Sequence, residues 1–193
     1  MTVAAARSIG ETIEIRAAVA DEIPDLTALI TASAALLSRG FYTEAQAAAA
    51  IRHVFGVDSD LVADGTYLVA EARGAIIGCG GWSRRRTLFG GDQFAARDST
   101  PLDPTSEPAR IRAFFTHPDH ARRGVASRLL AACEERAAAA GFGAVELMAT
   151  LPGVPFYAAA GFVPGAPTMY QAGDVPVPFV PMKKRLTGTR TNG

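Results

Sequence analysis

Apolar positions change period several times along the first half of the chain, and each change marks an element. Residues 12–17 alternate, with Ile13 and Ile15 on one face, which predicts a first strand. Asp21 then stands where a helix N-cap belongs, and Pro24 fits a first helical turn. Ile23, Leu26, Leu29, Ile30, Ser33 and Leu37 follow at helical spacing, a stripe for burial. A second helix is predicted over 43–55, with Thr43 as its cap and Ala47, Ile51 and Val54 inward. Gly56 and its polar neighbours break it, and 58–63 predicts a short further turn. Residues 66–71 and 75–83 then read as two strands joined by a hairpin turn at Arg73-Gly74.

Residues 84–109 keep no period and are rich in Gly, Pro, Asp and Ser. A loop of this length inside a compact domain tends to be functional or disordered. Beyond it a strand is predicted over 110–115, then a Thr-His-Pro turn. A long helix follows, on which Val125, Leu129, Ala132, Cys133, Ala137 and Ala140 share one face. Gly141-Phe142-Gly143 ends that helix, and 144–150 alternates as a strand, so the unit is a right-handed crossover between parallel neighbours. A short helix ends at Ala160-Gly161, and 162–169 with 175–182 form a closing antiparallel pair. The expected organisation is a loose tail over 1–11, a single domain over 12–184 with its long loop, and a C-terminal tail over 185–193.

Bulk composition narrows the class. Of 193 residues, 49% are hydrophobic and 20% charged, which describes a globular chain rather than a disordered one. Formal net charge is zero, so no global field holds nucleic acid, and Arg84-Arg85-Arg86 reads as a solvated loop. Cys79 and Cys133 sit in apolar patterns without a disulfide framework, as suits a reducing cytosol, and the expected location is cytoplasmic. No signal-peptide core or membrane-length apolar run is seen, so no membrane partner is expected. Three histidines and two separated cysteines give no metal-ligand spacing.

The chemistry gathers around residues 120–127. A strand feeding a helix through a basic turn with one glycine makes an anion trap, because the first N–H groups of a helix are unpaired and its N-terminus is positive. Arg122 and Arg123 add full charge there, and Gly124 lets a ligand approach the backbone. The order strand, Arg-Arg-Gly-Val-Ala, helix resembles the acetyl-CoA-binding motif of the GNAT superfamily of N-acetyltransferases, Gln/Arg-x-x-Gly-x-Gly/Ala. Gly124 and Ala126 take its last two fixed places, and Ala121 departs from its first. Downstream, Phe156-Tyr157 and Gly161-Phe162 resemble the Phe-Tyr-x-x-x-Gly-Phe signature of the same superfamily, in the expected order. Thr150 stands where that signature more often has Asn.

The resemblance implies an α+β, three-layer fold. In this fold a mixed central sheet of about seven strands carries helices on both faces and a splayed parallel pair. It implies acetyl-CoA as cosubstrate, lying between strands 110–116 and 144–150. Backbone near Phe114, Phe115 and Thr116 would bind the pantetheine arm, and N–H groups of Arg122, Arg123, Gly124, Val125, Ala126 and Ser127 the pyrophosphate, with Thr150 near the cofactor. Tyr157 is implied as general acid for the leaving thiolate, against the alternative of a core aromatic. A family glutamate is missing from strand 110–115, where Arg110, Arg112 and Ala113 stand. Glu146 is the replacement base, or else a strand carboxylate paired with an arginine such as Arg112. The expected acceptor is a small-molecule primary amine, with a protein or peptide amine, or a non-catalytic acyl-CoA-binding role, as alternatives. Trp82 is a candidate wall for the amine or a core residue, and Asp92 a candidate partner for its ammonium. Glu44 is another acid within possible reach, and His117 and His120 read as turn residues. A homodimer through the exposed edge of the closing hairpin, with Val175, Val177, Phe179 and Val180, completes the expectation.

Overall fold

A computed structural model describes residues 12–186. The tail expected over 1–11 lies outside the described residues, as does the C-terminal tail from 187 onward. The elements are β1 (Glu14–Ala17), α1 (Ile23–Leu37), α2 (Glu44–His53), α3 (Ser59–Ala63), β2 (Tyr67–Ala72), β3 (Ala75–Ser83) and β4 (Ala109–Thr116). They continue with α4 (Val125–Ala139), β5 (Ala144–Thr150), α5 (Val154–Ala159), β6 (Val163–Pro164), β7 (Thr168–Ala172) and β8 (Val175–Arg185). One sheet of eight strands runs β1-β2-β3-β4-β5-β8-β6, with β7 also on β8. Among the described strands only β4 and β5 pair in parallel; every other neighbour is antiparallel.

Strand alternation separates two cores. Leu68, Ala70, Val145, Leu147 and Ala149 face α4 and α5, together with Leu129 and Phe162. Tyr67, Val69 and Cys79 face the opposite way, against Leu26, Ile30 and Leu61 of α1 and α3. On that second face α2 covers β7 and β8 through Ala50, Val54, Val177 and Phe179. Both faces of the sheet are therefore covered, as a mixed three-layer fold requires.

Several boundaries differ from expectation for identifiable reasons. Asp21 does not cap α1: it lies in a 3₁₀ turn, Ala20–Glu22, and the N–H of Val19, the residue before that turn, donates to the Glu22 carboxylate at 2.9 Å. Thr43 does cap α2, its hydroxyl accepting from Gln46 N–H at 3.2 Å. The expected strand over 162–169 is two short strands, because Pro164-Gly165-Ala166-Pro167 cannot continue a ladder. Both halves lie along β8, which makes β8 an interior strand. Val177, Phe179 and Val180 are buried, so the closing hairpin does not offer them at an edge.

The two features that shape the site are both in β4. Its register against β3 places Phe115 opposite Cys79 but Arg112 opposite Gly81, so Gly80 alone faces Ala113 and Phe114. The extra residue is a β-bulge, and Ala113 takes a left-handed φ of +54° to form it. Because the bulge resets the alternation, Phe114 turns to the α4/α5 core while Ala113 and Phe115 pack on the α1/α3 core. A side chain at position 80 would put its Cβ 2.6 Å from the Phe114 ring, so glycine is required there. The second feature is that β4 and β5 pair only at Ala109/Val145 and Arg110/Glu146. Past that point the two strands part.

The 84–109 segment is folded rather than loose. Arg86 and Thr87 N–H donate to the carbonyls of Thr100 and Asp98, at 3.0 and 2.9 Å. Arg85 pairs with Asp64 at 2.7 Å and Arg86 with Glu107 at 2.5 Å, while Arg84 lies 5.9 Å from the centre of the Trp82 ring. The arginine cluster is thus largely spent on internal contacts.

Candidate active site

The turn before α4 holds the geometry its sequence suggested. Gly124 is left-handed at φ +81° and Arg122 at φ +64°. The first helical hydrogen bond here is Arg128 N–H to Gly124 C=O, at 3.1 Å. The N–H groups of Arg122, Arg123, Gly124, Val125, Ala126 and Ser127 have no partner among the described residues. Val125 anchors the turn from below, being 1% exposed in the core, while Arg122 and Arg123 are exposed and form no ion pair among the described residues. Six consecutive free donors at a helix N-terminus, flanked by two guanidinium groups, suit a pyrophosphate.

Where β4 and β5 part, a cleft opens, lined by residues from both faces of the sheet. Ile111, Phe114, Phe115, Leu147 and Thr150 line the strand side of this opening. Thr116 lines the adjoining groove beside the end of α1, where Phe114, Phe115 and Thr150 recur. These residues bring together the expected cofactor strands.

Tyr157 sits on α5 at the α4/α5 end of the cleft. Its position is fixed by local physics. Gly161, at φ +90°, lets Phe162 N–H bond the Tyr157 carbonyl at 3.0 Å and Gly161 N–H bond Ala158 C=O, which ends the helix. Phe162 and Phe156 then pack on the Tyr157 ring at 5.5 and 4.9 Å, with Phe114 at 6.4 Å. The Tyr157 hydroxyl has no hydrogen-bond partner among the described residues. Burial pushes its pKa above the usual tyrosine value, so it stays protonated.

Other expected site residues go elsewhere. Glu146 does not enter the cleft: its carboxylate is in an ion pair with Arg110 and another with Lys183 at 2.7 Å. The parallel register sets Arg110 beside Glu146, which is why Arg110 and not Arg112 is its partner. Asp92 accepts from Ser59 N–H at 3.0 Å and pairs with Arg97 at 2.6 Å, away from the cleft lining. Trp82 is a core residue, 5% exposed, edge-on to Phe142 at 6.2 Å. His117 and His120 are turn residues, and His117 Nδ1 accepts from Asp119 N–H at 3.3 Å. Among the described residues no group of His, Cys, Asp and Glu is placed to hold a metal ion.

Three contributors to the cleft and its support were not assigned that place from sequence. Arg112, 3% exposed, lines the cleft; it pairs with Asp58 at 2.5 Å and donates to Gly90 C=O at 2.6 Å. Asp58 is wholly buried, caps α3 and also pairs with Arg97 at 2.8 Å. Finally, Phe89-Gly90-Gly91 forms the far wall with Phe55 and Phe179, held by Gly91 N–H to Val54 C=O at 2.8 Å. The one sequence signal was the Gly-Gly pair, which permits close approach: a Cβ on Gly91 would lie 2.7 Å from the Gly56 backbone.

The sequence matches the model described as "Acetyltransferase (GNAT) family" over residues 33–162. No curated protein matches it. Among solved structures, a GCN5-related N-acetyltransferase from Rhodopseudomonas palustris shares 21% identity at TM-score 0.68, covering 93% of this chain and 99% of that one. The PaiA N-acetyltransferase from Thermoplasma acidophilum, in complex with coenzyme A, shares 17% at TM-score 0.60, covering 90% and 99%. The YncA putative acetyltransferase from Salmonella typhimurium, with acetyl-CoA, shares 16% at TM-score 0.60, covering 91% and 95%. At these identities the likeness is one of fold.

Proposed function

Because the chain belongs to the GNAT acetyltransferase family, whose work is acetyl-CoA-dependent acyl transfer, we propose that its acceptor is the primary amine of a small molecule and that Tyr157 is the general acid. The observation that carries this reading is the unpartnered Tyr157 hydroxyl at one end of a cleft opened by the parting of β4 and β5.

Acetyl-CoA supplies the activated acetyl group; the remaining work falls to the chain. N–H groups from Arg122 to Ser127 hold the pyrophosphate, and the β4 backbone near Phe114, Phe115 and Thr116, past the end of its pairing with β5, holds the arm as an added strand would. Thr150 closes the β5 side of the same opening. Tyr157 donates its proton to the sulfur as the C–S bond breaks. Its raised pKa keeps that proton in place well past neutrality.

Tyr157→Phe tests the assignment. It should lower kcat by about 100-fold. Acetyl-CoA should still stabilise the variant by about 2.7 kcal/mol at 100 times its Kd. Unchanged turnover removes Tyr157 from the mechanism. A second reading, a non-catalytic acyl-CoA-binding domain, is favoured by the lack of a carboxylate among the described residues that line the cleft; it requires stabilisation by acetyl-CoA with no thiol release from any amine. A cytoplasmic location, in keeping with the two free buried cysteines, and a homodimer belong to the same proposal. With β8 interior, the dimer would have to use β6 and β7, where Val163 and Met169 are exposed; a monomeric mass in solution removes it.

A further inference from the structure

Resting on that reading, we propose that the acceptor is a compact, weakly basic apolar amine, an arylamine or similar, that enters as the neutral free base. Alkylammonium ions and polyamines are excluded.

The cleft has two unlike ends. Tyr157 and Phe114 belong to the α4/α5 face of the sheet, and the thioester sulfur must lie at that end if Tyr157 is to protonate it. The acceptor therefore comes from the opposite face. That end is walled by Phe55, Phe89, Phe179, Val54 and Met148, with Phe89 and Phe55 at 5.5 and 6.2 Å from the Phe179 ring. The wall is stiff. Gly90 packs so closely on Phe94 that a Cβ would lie 2.4 Å from its ring, and the Gly90 carbonyl is held by Arg112. Space between such walls suits a single ring or a branched body.

Charge decides the protonation state. Among the described residues that line the cleft only Arg112 and Tyr157 are ionisable, and none is a carboxylate. Asp58, the acid nearest in the network, has one oxygen against Arg112 and the other against Arg97 and Asp60 N–H. Glu146 is neutralised by Arg110 and Lys183 outside the cleft. An ammonium entering here would shed its hydration, find no counter-ion and meet a guanidinium. A weakly basic amine avoids that cost, because it is already neutral near pH 7. It also needs no base before attack. As the N–C bond forms and the C–S bond breaks, Tyr157 gives its proton to sulfur, and the proton shed by nitrogen restores the Tyr157 hydroxyl. Amine and thioester become amide and thiol, with no other reactant. The absence of a base in the cleft is then a selectivity device.

The test compares aniline, benzylamine and putrescine as acceptors for the full chain with acetyl-CoA, following thiol release. Unfolding midpoints with coenzyme A and each amine provide a reading independent of turnover. Benzylamine should lose about 100-fold in kcat/KM between about pH 9 and pH 7, since only a small fraction of an alkylamine is free base at pH 7, whereas aniline should lose nothing over that range. The aniline rate should be flat with pH, whereas that of benzylamine should climb about tenfold per unit from roughly pH 6 to 9. Aniline alone should raise the midpoint at pH 7. Benzylamine or putrescine turned over at pH 7 as well as aniline overturns this inference and leaves acetyl transfer standing. No thiol release from any of the three, with acetyl-CoA still stabilising the protein, overturns the acetyl-transfer reading itself and this inference with it.

Discussion

Asp58→Asn should be among the most damaging single changes outside the cleft lining, and its cost can be worked from contacts. The Asp58 side chain is fully buried and meets Arg112 at 2.5 Å and Arg97 at 2.8 Å. Asparagine keeps the shape, and keeps an oxygen for Asp60 N–H, now at 3.1 Å, so the α3 cap survives. What is lost is the counter-charge of Arg112, whose side chain is 1% exposed. Stranding a buried charge costs about 3–5 kcal/mol, a large share of the 5–15 kcal/mol typical of a domain. Arg97 retains Asp60 and Asp92 and adds little to the loss. Urea unfolding followed by the fluorescence of Trp82, the one tryptophan, reads this directly. Adding Arg112→Met to Asp58→Asn should recover part of the loss, because the stranded charge is then gone. A single-variant loss below about 1 kcal/mol, or a double variant as poor as the sum of the singles, would refute the buried-pair account.

Three further outcomes follow from the same contacts. Gly80→Ala drives a methyl into the Phe114 ring, so stability should fall by about 1–3 kcal/mol and kcat should fall with it, as Phe114 shifts against Tyr157; unaltered kcat would detach Phe114 from the catalytic end. At Gly124 a Cβ meets nothing within 4 Å, so Gly124→Ala should cost only the left-handed strain, about 1–2 kcal/mol, and should weaken acetyl-CoA binding without changing the KM for amine. Calorimetric Kd values for acetyl-CoA would check this. Hydrogen bonds from Arg16, Arg97 and Arg85 hold the carboxyls of Glu22, Asp60 and Asp64 below their usual values. Each binds its proton less readily folded than unfolded, so its contribution is complete above about pH 4 and fades as pH falls below that range. Urea midpoints should accordingly hold from pH 7 to 5 and drop by pH 3; a rise on acidification would contradict the assignment.

What was legible in the sequence was local. The turn through Arg122-Arg123-Gly124 and the Tyr157 helix each depend on a glycine within a few residues of the functional group; spacing points to the first as an anion trap, and the resemblance to a family signature points to the second. The bulge at Ala113 was not legible, because nothing about alanine signals a left-handed φ; it arises from fitting β4 against the small Gly80 and Gly81 of β3. The partner of Glu146 depended on parallel register, which one strand cannot reveal. Asp58, Arg97 and Arg112 come from three separate stretches and acquire meaning only when packing joins them. Asp92 and Trp82 were drawn toward the site by their chemistry and placed elsewhere by an ion pair and a core.

The two halves of the cleft differ in what they present. Along β4, as at the neighbouring Gly124 turn, it is main chain, which every residue carries and substitution scarcely alters. On the far side, at Phe55, Phe89 and Phe179, it is side chain, and Phe89 rides on a connection outside the sheet. A lineage, or an engineer, can therefore rewrite the acceptor wall while the donor half keeps its geometry. Libraries restricted to those aromatic positions are the economical route to new acceptors on this scaffold.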